Sequence, residues 1–525
     1  MPDLDKAAKD PSTPSAAYAA MLPVWTKVST LLSGTEAMRS AGTKYLPQHE
    51  NETSASYEDR LASNVLLNRT EQTLDSWVGR PFSDPVQVNE ELSEEMQEWL
   101  KNVDLQGNEL HVFARQWFET GLSHAFSHVL VDFPTVDRSP GRSLADDVAE
   151  GVRPYFVEVL PENLIFADST VVDGREILTH LRIMEESTVR VGFAQVVERR
   201  IRVFDRILPM DMGPEQLVQF FPVESQDPEI MMDLLERNEP AVFVSVWKFN
   251  PQAKGEIEWD LEQPPRRIEI DEIPLVTFYA DRQGLMLGKP PIEDLSDLNI
   301  RWWQSNADQI NVLTVARFPI LSGTGVDEEQ GDVLEVGPKR MLTATNEKAK
   351  FGYVEHTGAA IEAGRQDLSD LDEAMCDYGA EFLKERPNSP TATARALDSA
   401  EATSPLQDAA IRFNDALQKA LELMGRWSSQ EVVEAAASVP TEFGPEKIVP
   451  GDVQMVQFAR DRGDLSREMF LKEMQRRAAL SDEFDMEENA RQLERERTEF
   501  DGEPTDNEDI DPFQADEDED EPDNS

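Results

Sequence analysis

The chain has 525 residues, too many for one core, and 39% of them are hydrophobic, enough to fold. Its 50 basic residues stand against 103 acidic ones, a net charge of −53, which argues against any broad surface for gripping a nucleic-acid backbone. Thirteen of those acids lie in 501–525 without a Lys or Arg, so −40 belongs to the rest of the chain. Cys376 is the single cysteine, which leaves no disulfide framework or Cys-based metal site within one chain. The opening MPDLDKAAKD lacks an apolar leader core, and no apolar run of about 18 residues follows. A cytosolic origin without membrane insertion is therefore expected, and the sequons at Asn51 and Asn68 are then chance matches.

Residues 1–19 are polar and Pro-rich and predict a flexible arm. Helical periodicity follows at 18–32, with Pro23 inside it, and at 59–77, where Leu61, Val65, Leu66, Leu74 and Trp77 share a face. Further helices are predicted at 90–102 and 108–120, the latter capped by Asn108, lined by Leu110, Phe113, Ala114 and Trp117, and ended by Gly121. From there HAFSHVLVD (124–132) reads as a strand. As a helix it would put His124 and His128 on one face, but Ala125 stands where a zinc hydrolase of the HExxH type needs its glutamate. As a strand it holds the two histidines roughly 13 Å apart, too far to share a metal.

Short β runs come next, at 155–160, 164–166, 176–184, 199–208 and 241–249, interrupted by an acidic, Met-rich stretch at 210–238 that reads as helical. The pattern predicts an α+β region with a mainly antiparallel sheet. IPLVTFYADR (273–282) then leads into a long helix, 290–318. Leu295, Leu298, Trp302, Ile310, Leu313 and Ala316 recur along it at helical spacing, and Ile300, Trp303 and Ala307 form a second stripe. A helix apolar on two faces must touch more than one neighbour. Three short β candidates follow, at 320–322, 332–336 and 351–354, with Lys339, Arg340, Lys348 and Lys350 as a basic cluster among them. A second helix is predicted at 359–383, then a polar loop, KERPNSP (384–390), and a third helix over 391–427, kinked at Pro405. Two short charged helices close the sequence within 464–499, capped by Ser466 and Asp482, before the acidic tail, which predicts disorder. No internal repeat, phosphate-binding GxxxxGK[ST] loop, GxSxG elbow, CxxC pair or Gly-rich dinucleotide turn occurs. An enzyme is not expected, and no cofactor.

Four stretches, in this order, carry a resemblance: YLPQHENETSASYEDRLASNVLLNRTEQTLDSWVGRPFSDPV (45–86), GLSHAFSHVLVDFP (121–134), PYFVEVLPENLIFADSTVVDGREILTHLRIMEES (154–187), and IPLVTFYADR followed by EDLSDLNIRWWQSNADQINVL. The chain resembles tailed-bacteriophage portal proteins, in particular the portal-like family that carries a domain of formerly unknown function. The resemblance implies an α+β portal fold: a wing over 20–285, a first stem helix over 286–318, a β-rich clip over 319–358 and a second stem helix over 359–383. A tunnel loop at 384–390, a long helix over 391–430 returning to the wing, a helical crown over 431–500 and the tail complete it. It further implies a ring, usually of twelve copies, at one capsid vertex of the virion, assembled in the host cytoplasm. Double-stranded DNA passes through its channel, and the terminase large subunit, a head–tail adaptor and the major capsid or scaffold protein are its partners. Lys384, Arg386 and Asn388 in the tunnel loop, with Lys339, Arg340, Lys348 and Lys350 in the clip, are the DNA-channel candidates; each is otherwise an ordinary surface residue. Trp302, Trp303, Leu295, Leu298 and Ile310 are the subunit-interface candidates, and Gln304, Asn306 and Asp308 are expected to face the channel. An acidic scaffold or adaptor without a channel would explain the charge but not the β-rich centre. A metal-dependent hydrolase would need His124 and His128 on one helix.

Overall fold

The computed structural model describes residues 9–134, 151–172, 174–207, 240–252, 258–317, 320–324, 350–354, 358–381 and 404–441 of a first compact unit, Met1–Glu442. Of a second unit, Phe443–Ser525, it describes 456–460, 462–463, 465–476, 489, 491 and 492. The expected features at 210–238, 332–336, 384–390 and 391–403, at Asp482 and in the acidic tail lie outside the described residues.

The first unit begins with helices. α1 (Ala16–Leu32) carries Pro23 without ending, and Ser15 caps it by accepting from the Tyr18 N–H. α2 (Gly34–Ala41) follows. The helix predicted at 59–77 is two helices, α3 (Ser54–Ser63) and α4 (Arg69–Gly79). The break has a local cause: Asn68 accepts from the Glu71 N–H, a capping bond that stops a helix from running through it. β1 (Gln87–Val88) and α5 (Glu94–Leu100) precede α6 (Leu110–His124). α6 runs through Gly121 and ends at Ala125, whose φ of +76° no helix can continue. Asn108 does not cap it; its side chain donates to Asp104.

β2 (Phe126–Asp132), β3 (Tyr155–Val159) and a later strand, β9 (Leu275–Tyr279), form a three-stranded antiparallel sheet in the order β3-β2-β9. β4 (Leu164–Val172), β5 (Arg175–Val191), β6 (Ala194–Ile207), β7 (Ala241–Phe249) and β8 (Trp259–Arg267) form a five-stranded antiparallel meander in sequence order. β8 is not legible in the sequence because Pro264 and Pro265 lie inside it; this edge strand carries them at an irregularity between the Val246–Gln263 and Val244–Arg266 pairs. β9 (Leu275–Tyr279) leads to α7 (Glu293–Arg317), the antiparallel pair β10 (Ile320–Thr324) and β11 (Lys350–Val354), and α8 (Ala359–Glu381). α9 (Pro405–Trp427) starts at Pro405 rather than bending there. Ser404 is an extended N-cap that forms a reciprocal capping box with Gln407, and a proline fits the first helical position. β12 (Ala437–Ser438) pairs back onto β1. In the second unit, α10 (Arg467–Arg476) is capped by Ser466, whose hydroxyl accepts from the Met469 N–H.

The alternation of β2 sets up three layers. On one face, Phe126 and Leu130 join Trp25 of α1 and Leu164, Leu181, Ile183, Phe204 and Val242 of the five-stranded sheet in one core. On the other, Ser127 donates to the Trp117 carbonyl of α6. Phe278 of β9 stacks on Phe118 and meets Phe413 of α9 edge-on, and Trp117 and Phe82 close on the same ring. Gly121 is needed here, because a Cβ would sit 2.4 Å from the Phe278 ring. Helix α9 is thereby held under the small sheet.

His128 lies in β2 facing the first core and shares a 2.9 Å hydrogen bond with Thr277, its cross-strand partner. It is fully buried, and desolvation holds its pKa down at about 3. The fold therefore keeps it neutral, while the unfolded chain protonates it near pH 6.5. Its contribution to stability falls as pH drops from about 6.5 toward 3, by up to about 1.4 kcal/mol per pH unit. We expect the urea midpoint of His128→Phe to change less between pH 7 and pH 5 than that of the wild type; an unchanged difference would mean the ring is not enclosed. His124 sits apart at the end of α6, bonded to Ser29, Ser123 and Glu162.

Candidate assembly surface on the paired helices

α7 and α8 run antiparallel. Tyr378 donates to the Pro291 carbonyl at one end (2.9 Å), Ser305 to Asp367 (2.7 Å) and Gln309 to the Ile361 carbonyl (2.9 Å) toward the other. Gly364 permits the approach, since a Cβ there would come within 2.1 Å of the Gln309 amide oxygen. By length the helices span about 37 and 35 Å, and β10 and β11 continue them at the far end.

Ile292, just before α7, and one stripe of α7, Leu295, Ser296, Asn299, Trp303 and Ala307, are buried. Trp303 and Ala307 pack with Leu31, Met38, Tyr45, Leu46 and Leu66 of the preceding helical layer. A second stripe, Leu298, Trp302, Ser305 and Gln309 at spacings of four, three and four, turns to α8, with Leu298 and Trp302 half-buried. Both apolar faces are thus met within the chain. This corrects the expectation that Trp303 and Leu295 meet a neighbouring copy: both are 0% exposed and have no surface left to offer. Leu298, Trp302 and Ile310 keep part of theirs.

The polar residues of α7 are also engaged internally. Asn299 accepts from the Thr70 N–H and hydroxyl and donates to the Leu67 carbonyl. Gln304 donates to the Tyr45 carbonyl, and Asn306 to Asn64 and the Val65 carbonyl. Asn64 in turn donates to the Trp303 carbonyl (2.9 Å). Asp308 binds His49 (2.9 Å) and Arg60 (3.2 Å). Arg60 also grips Glu52 with two bonds of 2.8 and 2.9 Å, both side chains nearly inaccessible. The Arg60 hydrogen bond is the main reason the Glu52 carboxyl is held down at about 2. Gln304, Asn306 and Asp308, expected to face a channel, thus fasten α7 to 45–70, with Asp308 still exposed. A clue was available in the sequence, since Asn299 and Asn306 fall on or beside the stripe carrying Trp303, where a solvated polar residue has no place.

α8 is fastened at its base. Arg69 makes a bidentate pair with Asp372 (2.7 and 3.0 Å), and Trp77 donates to the Gly379 carbonyl (2.9 Å). Leu371 and Met375 are its buried apolar residues. The opposite face is open: Glu362, Gln366, Asp370, Glu373 and Asp377 form an exposed stripe, and the helix carries seven acids against Arg365 alone. Cys376 is exposed beside it. Of the DNA-channel candidates, Lys350 is placed, at the exposed start of β11 opposite Thr324. Lys339, Arg340, Lys348, Lys384, Arg386 and Asn388 lie outside the described residues.

Among the described residues no group of three or more His, Cys, Asp or Glu is arranged to hold a metal ion. None of the described helices is long and apolar enough to cross a membrane. Comparison with curated proteins gives no match. Residues 291–428, which run from the foot of α7 to just past α9, match the family described as a domain of unknown function (DUF4055).

Proposed function

We propose that the chain is the subunit of a portal-type ring: a homo-oligomer, dodecameric by resemblance, through which double-stranded DNA enters and leaves a capsid. The observation that carries this reading is the acidic outer stripe of α8 on an antiparallel helix pair whose inner faces are already satisfied. An exposed stripe bearing four acids, Glu362, Asp370, Glu373 and Asp377, has nothing to gain from a DNA backbone. Repeated around a ring, it forms a wall along which DNA slides, because no counterions are released by contact. The proposal extends to the cations of the clip and tunnel loop (Lys339, Arg340, Lys348, Lys350, Lys384 and Arg386, with Asn388) as transient phosphate contacts. It extends also to Leu298, Trp302 and Ile310 as part of the subunit contact, to terminase, adaptor and capsid or scaffold protein as partners, and to the portal vertex of the virion as the place. A scaffold or adaptor is less well supported, because two antiparallel sheets form the centre of the first unit. The hydrolase reading loses its shared helix face, with His124 in α6 and His128 in β2.

Electron-microscopy class averages of the purified full chain test the class directly: rings with a central hole are expected, and particles without one would sink the reading. The wall is tested by reversing it. Rings of the quadruple variant Glu362→Lys, Asp370→Lys, Glu373→Lys and Asp377→Lys should retain duplex DNA with a steep salt dependence, whereas wild-type rings should not. Variant rings indifferent to DNA would mean that this face does not line the channel.

A further inference from the structure

β5 and β6 are much longer than the sheet that supports them. β4 pairs with β5 as far as Ile183, and β7 pairs with β6 as far as Arg200. Beyond those points the two strands continue as a ribbon to the turn at Gly192 and Phe193, a reach of about 20 Å at 3.4 Å per residue. Among the described residues no strand pairs with either edge of this ribbon. Cross-strand ion pairing ends at its base, where Arg199 meets Glu186 (2.7 Å).

The ribbon has two unlike faces. Val189 lies opposite Val196, and Val191 opposite Ala194, so these four share one face. Val191 is 61% exposed, Val196 48%, and Phe193 at the tip is fully exposed. The other face holds Thr188, Arg190, Gln195 and Val197. From Ser187 to Val197 there is one arginine and no acid, within a chain of net charge −53.

We propose that this arm docks on a second copy of the chain, covering its valine face there and setting Arg190 among that copy's carboxylates. The charge favours this occupant: a surface rich in acids attracts an arm with a single positive charge, whereas most other parts of two such chains repel. The size favours a ring over a pair. Eleven residues are well short of the roughly 20–30 per side of a stable two-body interface. In a closed ring each copy gives one arm and receives one, and the contacts support each other. In that respect the inference rests on the ring reading above.

Two experiments on the full chain decide it. The double variant Val191→Thr, Phe193→Ser should fold with the wild-type circular dichroism and melting temperature, because these side chains have little of their surface covered by their own chain. Its assembly, followed by light scattering, should need at least about tenfold higher concentration. Second, Phe193→p-benzoylphenylalanine should photo-cross-link to another copy, visible as multimers on a denaturing gel. Assembly of the double variant at the wild-type concentration would overturn the arm and leave the ring standing. A cross-link confined to one chain would overturn it as well, since a segment of the same chain would then cover the valines. Closed dimers cross-linked through Phe193 would keep the arm and refute the ring. A wild-type monomer with no cross-link between copies would refute both.

Discussion

Trp303→Ala is expected to destabilise the first unit by about 3–5 kcal/mol, the usual cost of truncating an enclosed tryptophan. Trp303 is 0% exposed and closes the cluster formed by Leu31, Met38, Tyr45, Leu46 and Leu66. Removing it empties the joint between α7 and the helical layer. Trp302→Ala, at a half-buried position one residue earlier, should cost about half as much. Urea denaturation followed by circular dichroism compares the two. Equal effects would mean that the two stripes of α7 are covered alike. Trp303→Phe should recover most of the loss, because it refills the cluster and removes an indole N–H that has no partner among the described residues.

Arg60→Ala should be comparably damaging, about 3–5 kcal/mol, because it strands the Glu52 carboxylate in a site built for a pair. The pH dependence gives an independent check. The folded pKa of Glu52 is depressed to about 2 from an ordinary value near 4.5. Its contribution is therefore complete above about pH 4.5 and is lost as pH falls toward 2. Stability measured against pH should show that acid-side loss in the wild type and a shallower one in Arg60→Met. Parallel curves would remove the pair from any role in holding 47–52 against α7.

These two sites mark where the sequence is informative and where it is not. Periodicity placed α1, β7, α7 and α8 within a few residues, because one face of each meets a continuous core. It failed where a side-chain hydrogen bond overrides the apolar pattern, as at Asn68, which separates α3 from α4, and Ser404, which starts α9 at a proline. It also shortened β5 and β6, whose outer halves lack a buried face to mark them. At the candidate site, the sequence supplied two apolar stripes on α7 but grouped Leu295 with Leu298 and Trp302, whereas it is buried on the Trp303 side, and it did not supply their partners. Gln304, Asn306 and Asp308 read as free surface groups because they are polar. Their partners, Tyr45, Asn64 and Arg60, lie more than 200 residues away in the chain, beyond the reach of any local pattern.

The bonds from Asn299, Gln304, Asn306 and Asp308 have a mechanical consequence. Apolar contacts let a helix slip or roll at modest cost, since one methyl group replaces another. Amide and carboxylate bonds distributed over about 14 Å of helix axis do not, because a shift of one residue breaks all of them together. The joint thus resists shear as a set of rungs loaded in parallel. Past Asp308, α7 leans on α8, which is itself tied through Asp372 and Gly379 to α4. A push on the far end of the pair would therefore reach the helical layer by two routes, as displacement of the whole body rather than as slippage of one helix.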